Sequence, residues 1–85
     1  QAGSDYEVHP TRATFMTVHT NGAGLPLRAT PSTSSRVIDT VPDNTELFVY
    51  GGNGVWSYAG YLNDYEGAVY YGYVENRYLQ IVPNY

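Results

Sequence analysis

Cysteine and lysine are both missing from this chain, and tryptophan, methionine and phenylalanine are scarce, with 1, 1 and 2 copies. Without cysteine there is no disulfide framework, no thiolate metal site and no thiol nucleophile. Without lysine, positive charge rests on 4 basic residues against 8 carboxylates, for a net charge of −4. That balance argues against nucleic acid, whose recognition needs a basic footprint. It equally disfavours anionic membrane surfaces and polyanionic wall polymers. No apolar run approaches the ~20 residues that cross a bilayer, so no membrane span is expected, and there is no signal-type apolar core.

What is present is tyrosine. The chain has 10 in 85 residues, and Tyr58, Tyr61, Tyr65, Tyr70, Tyr71, Tyr73 and Tyr78 fall in the second half. Tyrosine suits half-buried strands, since one end of the ring is apolar and the other is wet. The length allows one domain, burying ~60–65% of the surface of its unfolded form, with an expected stability of ~4–13 kcal/mol. Opening at Gln1, the chain is expected to be a processed mature form or a domain of something longer.

Residues 1–11 are polar, with Gly3, Ser4 and Pro10, and read as a mobile arm ahead of a domain spanning 12–85. From Arg12 to Thr20, the residues Thr14, Met16 and Val18 alternate with Ala13, Phe15 and Thr17, as a strand requires. Asn21-Gly22-Ala23-Gly24 interrupts the pattern. Leu25–Arg28 is short and extended, and Pro26 assigns it to a sheet edge or to a place outside ladder pairing. After the Thr30–Ser35 loop comes a strand from Arg36 to Val41, then a turn at Pro42-Asp43-Asn44. Thr45–Tyr50 alternates strictly, with Leu47 and Val49 on one face and Glu46, Phe48 and Tyr50 on the other. Gly51-Gly52-Asn53-Gly54 reads as a turn. Val55–Tyr61 and Ala68–Glu75 form a hairpin through Leu62–Gly67, Asn76-Arg77-Tyr78 forms one 3₁₀ turn, and Leu79–Val82 closes as a last strand. Short strands at this spacing predict an all-β fold, a small barrel of about five to seven strands with one 3₁₀ turn before the last.

The segment Leu25-Pro26-Leu27-Arg28-Ala29-Thr30-Pro31-Ser32-Thr33-Ser34-Ser35-Arg36-Val37-Ile38 resembles the core motif of bacterial SH3 domains. Val41–Val49 is similar to that family's turn and following strand. Trp56 stands where the family's tryptophan follows a Gly-rich turn. Gly72-Tyr73-Val74 with Arg77-Tyr78-Leu79 looks like its closing signature. The resemblance covers about residues 13–82 and implies an SH3-like barrel. Three departures stand out. Pro26 replaces an asparagine, Thr30 and Asn44 replace glycines, and the interval from Trp56 to Gly72 is several residues longer than usual. The added length falls in Tyr61–Tyr71 and implies an enlarged hairpin.

Catalysis finds little support. His9 and His19 both lie near the N-terminus, and a set drawn from His19, Asp39 and a loop serine has no spacing that requires it. Asn63-Asp64-Tyr65-Glu66 carries oxygen ligands but lacks the alternating acidic positions and central glycine of a calcium loop. It reads as a solvated hairpin tip, so no metal and no cofactor is expected. By the resemblance, Arg28 is chiefly structural, its guanidinium holding loop carbonyls. Val37, Val41, Leu47, Val49, Val74, Leu79 and Ile81 are assigned to the core.

The ligand-binding candidates are Trp56, Tyr58, Tyr61, Tyr70, Tyr71 and Tyr73, read as an aromatic platform for an extended ligand. Rigid aromatics give contact area at low entropic cost, and SH3-type folds bind extended peptides in aromatic-lined grooves. The resemblance implies a non-catalytic, extracytoplasmic module that binds peptidoglycan or its peptide stems, with the loop near Thr30–Ser34 as a second wall. The alternatives are an adaptor or inhibitor that binds an envelope protein, and an accessory domain of a larger cell-wall hydrolase.

Overall fold

The computed structural model describes residues 13–81, so the expected arm at 1–11 lies outside the described residues, as do Arg12 and Val82 at the ends of two expected strands. Among the described residues the chain forms seven strands and one 3₁₀ turn: β1 (Thr14–Val18), β2 (Leu25–Arg28), β3 (Val37–Val41), β4 (Glu46–Gly52), β5 (Trp56–Asn63), β6 (Ala68–Glu75), η1 (Asn76–Tyr78) and β7 (Leu79–Ile81). They make one antiparallel sheet in the order β3-β2-β6-β5-β4-β1-β7, curled into a half-barrel. The all-β, SH3-like architecture expected from the sequence is the one found.

The concave face holds the core. Val18, Leu25, Leu27, Val41, Leu47, Val49, Ala59, Tyr61 and Val74 are buried together, with Met16, Ile38, Tyr70, Tyr78 and Leu79 packed against them. Alternation along each strand sends every second residue inward, so Leu47 and Val49 go in while Phe48 and Tyr50 go out. Two residues assigned to the core from the sequence are instead exposed. Val37 is 43% exposed, because the β2–β3 register shifts between Leu27 and Arg28 and Ile38 takes the inward place. Ile81 is 65% exposed, lying at the end of the short strand that closes the sheet order.

Pro26 does not keep β2 at the sheet edge. It pairs with Thr40 of β3, while on its other side β2 meets β6 only at Arg28↔Tyr73. The strand thus lies inside the order, yet offers Pro26 no second ladder in which a missing N–H would be felt. That single point of pairing depends on Gly72, where an added Cβ would lie 2.6 Å from the Arg28 carbonyl oxygen and 3.0 Å from Leu27 Cγ.

The turns hold the strands in register. Asn44 adopts φ 65°, the left-handed conformation that asparagine tolerates, which accounts for a residue standing where the resemblance expects glycine. The carboxylate of Asp43 accepts bonds from the backbone N–H of Thr20 (2.8 Å) and Gly22 (2.7 Å), tying this turn to the β1–β2 loop. Those bonds lead the causes that hold its pKa below the ordinary carboxylate value, with the Asn44 N–H and the charge of His19 adding to them. Arg28 Nη1 donates to the Ser35 carbonyl at 2.8 Å, bracing the Thr30–Ser35 loop.

Candidate functional site

The β5–β6 ladder is the longest in the sheet, with eight residue pairs running from Trp56↔Glu75 to Asn63↔Ala68 without a register shift. Only its lower part is flanked by β4, whose pairing ends at Phe48↔Gly60. The added residues therefore lengthen both strands, and the connecting turn is confined to residues 64–67. The expected enlarged hairpin is present as ladder, not as loop. The expected turn at Gly51–Gly54 is likewise shorter: β4 runs on to Gly52, and Asn53 Oδ1 closes the turn by accepting from Val55 N (2.9 Å) and Trp56 N (2.8 Å).

Because paired residues share a face, this register divides the six candidate aromatics. Tyr58↔Tyr73 and Gly60↔Tyr71 lie on the convex face, while Tyr61↔Tyr70 lies on the concave one. Trp56 has the convex register but is only 8% exposed. Tyr61 is part of the core, and Tyr70 packs against it, its hydroxyl donating to the Glu66 carboxylate.

On the convex face the rings form a continuous group. Tyr58 and Tyr73 centroids are 5.2 Å apart, and Tyr58 and Tyr71 are stacked at 6.4 Å with planes 20° apart. Tyr50 completes the cluster at 6.3 Å from Tyr58 and 6.2 Å from Tyr71. It reaches them because β4 bulges there, its register shifting between Val49 and Gly51. Burial, followed by the charge and hydrogen bond of the Tyr71 phenol, pushes the Tyr50 pKa up. Beyond Gly60 the row continues to Phe48 and then to Phe15, whose centroids are 5.3 Å apart. Tyr71 is 50% and Phe15 51% exposed.

Gly60 is the floor of this row. Its Cβ position would lie 3.0 Å from Tyr71 Cε1 and 3.5 Å from Phe48 Cδ2, so the Tyr71 ring rests where a side chain would stand. At the opposite end, beside Glu75, a hollow of about 460 Å³ is lined by Gly54, Val55, Glu75, Asn76 and Arg77. Arg28, the register partner of Tyr73, brings the start of the Thr30–Ser34 loop to the β6 side of the row.

Tyr50, Phe48 and Phe15 also belong to this face, outside the six candidate aromatics. Strict alternation in residues 45–50 had already set Phe48 and Tyr50 opposite Leu47 and Val49, and that was the available signal. The bulge that turns Tyr50 onto Tyr58 had no signature of its own. Among the described residues no three acidic or histidine side chains gather in a metal-binding arrangement.

A family model described as the bacterial SH3 domain matches residues 23–80. Neither the curated proteins nor the solved structures yield a match.

Proposed function

The chain belongs to the bacterial SH3 domain family, and on that basis we propose that it is a non-catalytic binding module of the bacterial envelope, which holds peptidoglycan or its peptide stems against its convex aromatic face. The family is one of binding domains, generally non-catalytic and commonly directed to cell walls. The observation that carries the reading is the convex group of the exposed Tyr71 with the half-buried Tyr50, Tyr58 and Tyr73, with neighbouring centroids 5.2–6.4 Å apart. Such a surface offers flat rings for stacking and phenol hydroxyls for hydrogen bonds at small loss of side-chain entropy. Trp56 lies at the Glu75 end of the same ladder, and the Thr30–Ser34 loop forms the second wall beyond Tyr73. Tyr61 and Tyr70, the inward pair of the six aromatics, contribute to the site by stiffening the hairpin.

Co-sedimentation with purified peptidoglycan tests this directly. The folded protein should be retained, and Tyr71→Ala should be retained far less at unchanged secondary structure. No retention of a demonstrably folded chain would overturn the proposal. A second reading, an adaptor or inhibitor module with a protein partner in the envelope, draws on the acidic balance of −4 and on the exposed Leu62 and Val69 that continue the face along the hairpin. An accessory role inside a larger wall hydrolase would use the same surface. Each reading assigns the domain to an extracytoplasmic compartment.

A further inference from the structure

The lengthened hairpin leaves part of β6 without a neighbour on one side. Backbone bonds along an antiparallel strand point to alternate sides, and two contacts fix the directions in β6. The Asn76 N–H donates to the Val55 carbonyl at 2.8 Å, on the β5 side, whereas Tyr73 pairs outward with Arg28 of β2. Odd-numbered residues of β6 thus aim their N–H and C=O groups away from β5. From Tyr73 toward the turn, the next of these are Tyr71 and Val69. β2 does not reach them, because its chain leaves the sheet after Arg28: the Ala29 N–H turns to the Arg36 carbonyl and the Thr30 N–H to the Ser35 hydroxyl. Among the described residues no strand pairs with this side of β6 from Ala68 to Tyr71, and Val69 and Tyr71 are both exposed.

The other outer strands of the sheet are protected against pairing, and this edge is not. β7 is only 3 residues long. β3, at the opposite end of the order, carries Asp39 in its middle, and β2 carries Pro26 and a register shift. Short strands, charges, proline and bulges are the devices that stop an edge from pairing with another chain. The run Ala68-Val69-Tyr70-Tyr71 has none of them, and its ladder with β5 is unshifted. The matching edge of β5 past Gly60 is shorter, with Leu62 as its one outward residue before the turn. Charge indicates what the β6 edge suits. The turn at its head carries Asp64 and Glu66, both exposed, and no arginine or lysine occurs between Arg36 and Arg77.

We propose that the outer edge of β6 at Val69–Tyr71 is a strand-addition site, where an extended, basic segment of a partner protein continues the sheet antiparallel to β6. Residues of the added strand opposite Tyr71 and Val69 exchange both backbone bonds with them, and their apolar side chains lie beside those two on the convex face. An antiparallel chain runs from Tyr71 toward the turn, so its following residues reach Asp64 and Glu66, where arginine or lysine is favoured. A second copy of this chain is the poorer occupant, because it brings another acidic turn and another net charge of −4 to the same place. The inference does not rest on the peptidoglycan reading: it needs only backbone groups and charge, and its test contains no wall polymer.

The test is a two-dimensional amide NMR titration of the whole chain with the capped peptide Val-Thr-Val-Arg-Arg. In the free protein the amides of Val69 and Tyr71 should exchange with deuterium much faster than those of Tyr70 and Gly72. The peptide should shift Val69, Tyr70 and Tyr71 and slow the exchange of the outward pair. Added salt should weaken binding, and glutamate in place of both arginines should remove it. N-methylation of both valines should abolish the shifts, whereas N-methylation of the threonine, whose N–H points to the far side, should spare them. Val69→Pro deletes one outward donor that the β5 ladder does not use. That variant should bind about two- to tenfold more weakly, as for one hydrogen bond, and melt near the parent; should it fail to fold, the methylated peptides make the same discrimination. Slow exchange of Val69 and Tyr71 in the free monomeric chain, absence of shifts at Val69–Tyr71, or equal binding of the valine-methylated peptide would each overturn the proposal. So would a chain that dimerises in sedimentation as those two amides become protected, since a second copy would then hold the edge.

Discussion

Two glycines of the β5–β6 ladder, one on each face, separate ligand contact from stability. At Gly60 an added methyl meets the Tyr71 ring, 3.0 Å from Cε1 and 3.3 Å from Cδ1. That ring is the outer end of a side chain 50% exposed, so it can lift outward, and the backbone has no positive φ to forbid alanine. Gly→Ala at a compatible position stabilises by ~0.4–1 kcal/mol through the unfolded chain. Loosening the Tyr71 contacts costs ~0.5–1.5 kcal/mol. The two nearly offset, so Gly60→Ala should melt within roughly 4–8 °C of the parent, the shift expected for ~1 kcal/mol in a domain of this size. At Gly72 the methyl meets the Arg28 carbonyl oxygen at 2.6 Å and Leu27 Cγ at 3.0 Å, neither of which can swing away. Overpacking there costs ~1–3 kcal/mol or more and attacks the one residue pair joining β2 to β6. Differential scanning calorimetry beside peptidoglycan co-sedimentation reads both effects. Gly60→Ala should bind about tenfold more weakly at near-parental stability, since displacing a hot-spot ring removes over ~1 kcal/mol of contact. Gly72→Ala should melt about 8 °C lower or more. Parental binding by Gly60→Ala would refute the placing of the ligand over Tyr71, and a parental melting temperature for Gly72→Ala would refute the close approach of β2 to β6.

Leu47→Ala removes a fully buried core side chain and should cost ~2–5 kcal/mol in urea unfolding, a large share of the total for a domain of this size. Asp43 has its pKa lowered from 3.8 by backbone N–H bonds. Its stabilising contribution is therefore complete above 3.8 and lost as pH falls through the folded value, and Asp43→Ala should flatten that acid limb in thermal melts run against pH. Tyr50, Tyr61 and Tyr70 have pKa values raised from 10.0. Each contributes fully below pH 10.0 and less as pH rises through its folded value, so ultraviolet titration should show late-ionising phenols that unfolding abolishes. Tyr58→Ala should leave the melt within roughly 4–8 °C of the parent and reduce peptidoglycan retention.

Most of the architecture was written locally. The alternation of Leu47 and Val49 with Phe48 and Tyr50, the turn at Pro42–Asn44 and the 3₁₀ turn at Asn76–Tyr78 each depend on neighbours in sequence, and each lies where the pattern puts it. What escaped depends on pairing between distant segments. The slip between Leu27 and Arg28 exchanged Val37 for Ile38 in the core, and a slip of one residue reverses a side chain without changing any local propensity. The place of β2 inside the sheet was hidden for the same reason. Pro26 predicts an edge or a place outside ladder pairing, but the strand lies inside the order and carries its proline where the second neighbour does not pair.

The tyrosines show most clearly what composition can and cannot decide. Counted along the chain, Tyr58, Tyr61, Tyr70, Tyr71 and Tyr73 form one group. Counted by parity once the hairpin register is known, they form two, because an unbroken ladder holds each residue to one face. The extra residues between Trp56 and Gly72 were added to both strands, which preserves that parity over the whole projecting segment. Had they swelled the turn instead, a flexible loop would have presented the same rings at a larger entropic cost of ordering. A lengthened ladder holds Tyr71 above Gly60 on the convex side and holds Tyr61 inward with Asn63 bonded to Asp39. One elongation thus gives the hairpin an aromatic outer face and an inner face tied to β3, with fixed relative geometry. A ligand lying along the outer face meets the stacked Tyr58 and Tyr71 rings together, so Tyr58→Ala and Tyr71→Ala should lower its affinity non-additively, each loss already loosening the other ring. Measured by calorimetric titration of the same ligand, a double variant that matches the sum of the two singles within ~0.5 kcal/mol would mean that the two rings bind separately.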